Sequence, residues 1–156
     1  MQSQFDTIIP GGHPVPSAQL PELAAFTFFQ QAIPAGFPSP ATDYEQATLD
    51  LNEYLVQHKT ATFFFRVAGR SMIGAHIDDG DIVAIDRSIE AKHGRIVLAV
   101  VDNEYTIKRL YSSGGVLELR PENPAFRPIR GGAGCSEIAI WGVATGLVRR
   151  FGDAKL

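Results

Sequence analysis

The stretch IVLAVVDNEYTIKRL, residues 96–110, contains two strand-like halves joined by two residues. β-branched and aromatic side chains fill both halves, and such residues are enriched in β-strands. Asp102-Asn103 between them is the kind of two-residue connection that closes a β-hairpin. The stretch therefore predicts two antiparallel strands, Ile96–Val101 and Glu104–Leu110.

The same composition recurs on both sides of this hairpin, with turn-forming residues between the runs. The further predicted strands are Ala61–Ala68, Ile82–Ile85, Val116–Leu119 and Ile138–Val148. At 156 residues the chain can bury one modest core. We therefore expect one mainly β domain of roughly six or seven strands.

The N-terminal region differs in composition from the rest of the chain. Regular structure is not expected to persist through its prolines, which are Pro10, Pro14, Pro16, Pro21, Pro34, Pro38 and Pro40. Between them lies an aromatic-rich apolar stretch, Leu20–Ile33, and disordered segments are usually poor in aromatics. We interpret residues 1–40 as an extended arm that docks on a globular domain formed by residues 41–156.

Two local patterns predict short elements in the globular domain. Asp50 is placed to cap a short helix that starts at Leu51, with His58-Lys59 suited to its C-terminal end. The acidic run Asp78–Asp81 contains Gly80 and lacks the ligand spacing of a calcium loop, so it is interpreted as a tight turn.

Charge and cysteine content exclude several classes of protein. No Lys or Arg precedes Lys59, so the N-terminal segment is not expected to bind DNA phosphates or to read DNA sequence. No apolar run is long enough to cross a membrane, and no signal peptide is evident. The lone Cys135 and the scattered histidines indicate neither a disulfide nor a metal site, and no cofactor is indicated. We expect a soluble, cytoplasmic protein.

Ser71 follows a strand and a glycine in Gly69-Arg70-Ser71-Met72. A sharp turn there would raise the hydroxyl above the sheet and leave the backbone N–H groups of Arg70 and Ser71 free to bind an oxyanion. A serine that merely caps the following segment is the alternative, and taken alone the pattern favours it.

Lys108 gives this serine a candidate base. Side chains alternate along a strand, so Lys108 shares a face with Thr106 and Leu110. If that face is inward, desolvation lowers the pKa of the amine, as a general base requires. If it is not, Lys108 extends to solvent at a sheet edge, and periodicity favours the two interpretations equally.

A wider set of residues resembles the self-cleaving domain of the LexA/UmuD family. The matching positions are Ser71-Met72, Ile77, Asp79-Gly80-Asp81, Asp86, Gly94, Ile96-Val97, Thr106, Lys108, Leu119, Pro121, Asn123-Pro124, Phe126 and Pro128-Ile129. Gly36-Phe37-Pro38-Ser39-Pro40-Ala41 and Leu49-Asp50-Leu51-Asn52 are similar to the UmuD branch in particular. The resemblance runs from about residue 35 to about residue 148.

The resemblance implies a fold of curled antiparallel sheets in a homodimer. It also implies a catalytic Ser71/Lys108 dyad and self-cleavage between Ala35 and Gly36. Family members are cleaved under the influence of a RecA nucleoprotein filament in the SOS response to DNA damage. The trimmed UmuD-like dimer then serves an error-prone, UmuC-like translesion DNA polymerase. Two departures are Ala35, where cysteine is often found, and Arg70, where an acidic residue is common.

Other functions remain to be weighed against this one. A repressor of the same family requires a basic helix-turn-helix domain, and the segment before Gly36 lacks Lys and Arg. A type I signal peptidase uses a similar dyad but requires a membrane anchor, which the sequence lacks. A non-catalytic dimeric accessory subunit of the polymerase, with a vestigial dyad, remains open.

Overall fold

The computed structural model describes residues 15–16, 26–30, 32–37, 46–132 and 136–152. Within those ranges the chain forms ten β-strands, one short α-helix and one turn of 3-10 helix, Ile73–Ala75. In chain order the strands and helix are β1 (Val15–Pro16), β2 (Phe26–Phe29), β3 (Gln46–Leu49), α1 (Leu51–Leu55), β4 (Thr62–Arg66), β5 (Ile82–Asp86), β6 (Ile96–Val101), β7 (Glu104–Ser113), β8 (Val116–Arg120), β9 (Ile129–Arg130) and β10 (Ile138–Val148).

Eight of these strands form one antiparallel sheet in the order β1-β4-β5-β10-β6-β7-β8-β9, and β2 pairs with β3 separately. β10 lies between β5 and β6 and shifts register against both of them. Such bulges bend a strand and increase its twist. At one of them Gly142 is required, because a Cβ atom there would lie 2.6 Å from Ile85 Cγ2. The mainly β, antiparallel fold expected from the sequence is confirmed.

The hairpin of residues 96–110 forms as predicted. Val101 of β6 lies opposite Glu104 of β7, with Asp102 and Asn103 as the connection. Both connecting residues have positive φ, 48° and 69°, as the two-residue turns that match strand twist require. β7 continues past Leu110 to Ser113, because its second half pairs with β8.

Several strands were not predicted from the sequence. β3 and β9 fall in stretches that were left unassigned, and two short strands, β1 and β2, lie within the arm. β4 is shorter than the predicted Ala61–Ala68. Its continuation leaves the sheet at Val67, whose N–H donates to Asp81 O at 2.8 Å and whose carbonyl accepts from Gly80 N at 2.9 Å.

The short helix α1 begins as predicted but ends earlier. The Asp50 carboxylate accepts the N–H of Asn52 at 2.7 Å, which is an N-cap. The expectation that His58 and Lys59 complete its C-terminal end is wrong, since no basic residue lies in its last turn. His58 Nδ1 lies instead 2.6 Å from Oδ2 of Asp86, a buried carboxylate at the end of β5.

Two clusters of buried apolar side chains stabilise the main sheet. The first joins β4, β5 and β6 to the segment after β4, and contains Phe65, Val67, Met72, Ile77, Val83, Ile85 and Leu98. The second packs β6, β7, β8 and β10 together through Val97, Ala99, Leu110, Leu119 and Val143. The first cluster matters for function because two of its members, Val67 and Met72, lie on either side of the turn that carries the candidate serine.

The arm is described only in part. β1 pairs with β4, with Val15 opposite Phe64. Every residue from 32 to 37 is exposed, and Ile33 and Phe37 are 92% and 93% exposed. Residues 1–14, 17–25 and 31, which include half of the predicted docking stretch, lie outside the described residues, as does Cys135. None of the helices within the described ranges has the length and apolar character needed to cross a membrane.

Candidate active site

Ser71 lies in the turn where the chain leaves β4. Gly69 has φ of 93°, which favours glycine, and its N–H donates to a carboxylate oxygen of Asp79 at 2.7 Å. On the other side of the serine, Met72 is inserted into the first core cluster with 1% of its surface exposed. The turn is therefore anchored on both sides of Ser71, and the hydroxyl is directed towards β7, where it contacts Lys108.

Lys108 lies in β7, opposite Val97 of β6, and only 8% of its surface is exposed. Its Nζ atom donates to Ser71 Oγ at 2.8 Å. Thr106 Oγ1 at 2.8 Å and Ile107 O at 3.0 Å accept from the same amine. The inward interpretation of the Thr106/Lys108 face is thus the one that the fold adopts, and Lys108 does not extend to solvent at a sheet edge.

Burial lowers the pKa of Lys108 below its ordinary value, because desolvation disfavours the charged amine. The atoms that accept from Nζ are two hydroxyl oxygens and one carbonyl oxygen. None of these acceptors carries the negative charge that would stabilise an ammonium group. The neutral amine, which is the form that can accept a proton, is therefore easier to reach near neutral pH than in a free lysine.

A cleft of about 190 Å³ adjoins the two residues. Besides Ser71, Thr106 and Lys108, its lining is largely apolar and includes Phe65, Val67, Val83, Leu98, Tyr105 and Ile107. Mostly apolar clefts with a few convergent polar groups are typical ligand sites. The arrangement suits an extended chain whose apolar side chain enters the cleft while its backbone passes the serine.

The backbone N–H groups of Arg70 and Ser71 are the predicted oxyanion donors. Within the described part of the chain, neither donates a hydrogen bond to another protein group. The Arg70 side chain forms an exposed ion pair with Asp78, at 3.3 Å.

The predicted cleavage site lies apart from this cleft. Ala35 and Gly36 are exposed, and no residue of segment 32–37 lines the cleft. The structure thus brings together Ser71, Lys108 and the backbone of Arg70, and does not bring Ala35-Gly36 to them.

Sequence reasoning gave no individual role to two residues that contact the serine turn. The Asn123 side chain donates from Nδ2 to Arg70 O at 2.8 Å, and Glu122 N donates to Ser71 O at 2.9 Å. The available signal was the run Pro121-Glu122-Asn123-Pro124, a turn-like sequence outside the strand pattern. Its position beside Ser71 depends on the path of the chain after β8.

The acidic run Asp78–Asp81 forms the tight turn that the sequence favours, with Gly80 at φ of 86°. Asp81 is 2% exposed, and both of its carboxylate oxygens contact the Arg149 guanidinium at 2.6 Å. This hydrogen bonding lowers the pKa of Asp81. Among the residues described, no group of three or more His, Cys, Asp or Glu is placed to hold a metal ion.

Comparison with known proteins places these features in a family. The Peptidase S24-like family profile matches residues 27–145. Protein MucA of Salmonella typhimurium is 46% identical over 118 residues, which cover 76% of this chain and 80% of MucA. Protein ImpA of Shigella flexneri is 42% identical over 128 residues, covering 81% of this chain and 86% of ImpA.

A more distant relative has a longer chain. The LexA repressor of Herminiimonas arsenicoxydans is 38% identical over 119 residues, covering 76% of this chain but 54% of the repressor. The match therefore involves only part of the repressor, whereas it extends over most of MucA and ImpA. With a serine and a buried lysine in contact at the site, the chain belongs to the Peptidase S24-like family, as a UmuD-like member of the LexA/UmuD group.

Proposed function

We propose that this protein is a serine peptidase that cleaves its own chain between Ala35 and Gly36. The observation that carries the proposal is the 2.8 Å contact between Ser71 Oγ and the Nζ atom of the buried Lys108. A serine hydroxyl is a weak nucleophile unless a neighbouring base removes its proton. A desolvated lysine amine is such a base, and it works without the histidine and aspartate of a catalytic triad.

The reaction starts with neutral Lys108. Its amine takes the proton of Ser71 Oγ as the oxygen attacks the carbonyl carbon of Ala35. The N–H groups of Arg70 and Ser71 donate to the oxyanion that forms on that carbonyl. When the intermediate collapses, protonated Lys108 gives the proton to the leaving amine of Gly36. Ala35 remains bound to Ser71 as an ester.

Water completes the reaction. Neutral Lys108 takes a proton from a water molecule, which attacks the ester carbonyl and releases the Ala35 carboxylate. The proton returns to Ser71 Oγ as the ester bond breaks. Both halves of the reaction use one amine at one position, so Nζ must stay close to Oγ through all four proton transfers.

Segment 32–37 must reach the cleft before this chemistry can begin. Its full exposure means that few contacts have to be broken to move it. Ala35 and Gly36 are small, so an extended chain can approach the serine closely there. Docking of this segment is therefore the step at which an activator can act, by stabilising the docked arrangement.

Membership of the LexA/UmuD group supports a role in SOS mutagenesis. In the proposed pathway a RecA nucleoprotein filament on single-stranded DNA promotes docking and cleavage. The trimmed chain, beginning at Gly36, forms a homodimer that serves a UmuC-like error-prone polymerase in synthesis past damaged template bases. The protein itself does not read DNA sequence in this proposal.

Incubation of the pure protein at about pH 10 tests the cleavage, because more of Lys108 is neutral there. We expect one internal cut, with a product whose N-terminal residue is Gly36. Ser71→Ala should slow this cut by at least about 10³-fold and keep the fold, whereas Ser112→Ala, on an exposed serine of β7, should cleave at the wild-type rate.

Two results would contradict the proposal. A product starting at Gly36 from the Ser71→Ala protein at the wild-type rate would exclude Ser71 as the nucleophile. No cut in the wild-type protein, with or without a RecA filament, would favour a non-catalytic accessory subunit with a vestigial dyad. The biological role is tested by primer extension across an abasic site with a UmuC-like polymerase. Bypass should be supported by the trimmed form and much less by Ser71→Ala.

A further inference from the structure

The turn that carries Ser71 is bound by a second loop from a distant part of the chain. This loop, residues 121–126, follows β8, about fifty positions after the serine. Glu122 N donates to Ser71 O at 2.9 Å, and Gly74 N donates to Glu122 O at 2.7 Å. The backbone of one residue, Glu122, therefore holds the serine turn at two points three residues apart.

The side chain of Asn123 adds a third point of attachment. Its Nδ2 donates to Arg70 O at 2.8 Å, while its Oδ1 accepts from Ala125 N at 3.0 Å. The second bond orients the amide, so that its N–H₂ end must face the serine turn. The carbonyls of Arg70 and Ser71, in two successive peptides, thus both accept from donors of the 121–126 loop.

The same loop is also attached to the strand that carries the lysine. The Glu122 carboxylate accepts from Nε of Arg109, the residue next to Lys108 in β7. Arg109 Nη1 donates in turn to Gly94 O at 2.7 Å. Arg109 and Glu122 expose 37% and 31% of their side chains, so this ion pair is partly screened by solvent. It nevertheless connects the lysine strand to the serine turn through one residue.

The fit between the loop and the turn is close at Gly74. A Cβ atom at this position would lie 2.4 Å from Glu122 O, a backbone atom that cannot rotate away. Gly74 has no positive φ that would require glycine. Its lack of a side chain is therefore explained by this contact with the loop.

We propose that Asn123, with Glu122, is a positioning element that sets the distance between Ser71 Oγ and Lys108 Nζ. This inference rests on the self-cleavage proposed above and deepens it. The two catalytic residues lie on different elements, and the contact of Nζ with Oγ does not by itself fix a turn against a strand. Three hydrogen bonds to residues 70–74 and one ion pair to Arg109 supply the connection. Asn123 does not touch the reacting atoms.

Asn123→Asp is the sharpest test, because it keeps the acceptor for Ala125 N and replaces the donor to Arg70 O by an oxygen. The matched control is Asn103→Asp, the same exchange in the β6–β7 turn, where φ is positive and aspartate is also tolerated. We expect Asn123→Asp to lower the limiting rate of self-cleavage at high pH by about tenfold or more, and the control to leave it unchanged.

The pH profile separates positioning from loss of the base. The low pKa of Lys108 comes from burial, and Asn123 makes no contact with the amine. The midpoint of the rate-against-pH curve should therefore stay the same in Asn123→Asp while its plateau falls. An unchanged plateau would overturn the proposal. Urea denaturation of Asn123→Asp in the Ser71→Ala background measures the unfolded fraction. If a larger unfolded fraction accounts for the whole fall in the plateau rate, the proposal is also overturned.

Hydrogen exchange provides a readout that does not depend on cleavage. In the Ser71→Ala background, Asn123→Asp should speed exchange of the Glu122 and Gly74 amides by about tenfold relative to Asn103→Asp. Gly74→Ala should do the same by pushing the loop away. If these amides exchange as in the parent, the loop does not hold the turn. If exchange of these amides speeds up as expected but the wild-type protein never cleaves itself, the loop does hold the serine turn and the proposed peptidase function is wrong.

Discussion

The turn that carries Ser71 and the segment that contains Ala35-Gly36 are held in opposite ways. Residues 69–77 are tied to Asp79, to the 121–126 loop and to the core through Met72. Residues 32–37 are exposed throughout. One half of the proposed reaction is thus preorganised and the other half is not. Docking of the segment is therefore expected to be a separate step before the chemistry, and changes in the two regions should have distinguishable effects.

The largest effect on the self-cleavage rate is expected when Lys108, the proposed base, is replaced. Lys108→Arg keeps a positive charge, but a guanidinium stays protonated at any usable pH, so self-cleavage should fall by about 10³-fold. In the wild-type protein the neutral fraction of Lys108 grows as pH rises. The rate should therefore rise with pH and level off above a midpoint that lies below the ordinary pKa of lysine, because burial lowers the pKa of Lys108.

The self-cleavage rate, measured from neutral to alkaline pH, tests this prediction. A pH-independent rate, or activity retained by Lys108→Arg, would contradict the lysine-base mechanism. The Arg variant should keep the circular dichroism spectrum of the wild-type protein, which excludes loss of the fold as the cause.

A smaller effect is expected at Thr106, which shares the inward face of β7 with Lys108. Thr106→Val keeps the shape of the side chain but removes the hydroxyl that accepts from Nζ at 2.8 Å. The amine then has fewer contacts that hold it near Ser71, and the plateau rate should fall by about tenfold. Thr145→Val, at an exposed position in β10, is the matched control and should cleave at the wild-type rate. Equal rates in both variants would show that Thr106 does not position the amine.

The smallest effect on the cleavage rate is expected from a substitution in the exposed segment 32–37. Phe37→Ala should change the free energy of unfolding by less than about 0.5 kcal/mol, because the ring is 93% exposed. Self-cleavage should nevertheless slow by about fivefold if the ring enters the apolar cleft when the segment docks. Phe151→Ala, at a position that is 95% exposed, should alter neither quantity.

The free energy of unfolding and the cleavage rate are both measured for Phe37→Ala and for Phe151→Ala, and are compared with the wild-type values. A cleavage rate unchanged by Phe37→Ala would mean that Phe37 makes no contact in the docked state. A large loss of stability would mean that segment 32–37 is not the loosely held region that its exposure indicates.

Local sequence patterns predicted the features of the fold that depend on residues close together in the chain. The 96–110 hairpin was predicted to the residue at its turn, since Asp102-Asn103 tolerates the positive φ that the turn needs. The Asp50 cap was predicted for the same reason, because its partners are two and three residues away. The role given to His58 failed, since its partner Asp86 lies 28 positions further along.

Sequence patterns predicted a mainly β protein, and the family resemblance identified Ser71 and Lys108 as candidate catalytic residues. Strand alternation, however, left the burial of Lys108 undecided between two faces. The tertiary structure settles this, because the Ser71 turn lies against that face of β7 and leaves only 8% of Lys108 exposed. The loop of Glu122 and Asn123 was likewise brought to Ser71 by the path of the sheet. Contacts between distant residues depend on which strands become neighbours, and no local pattern encodes that choice.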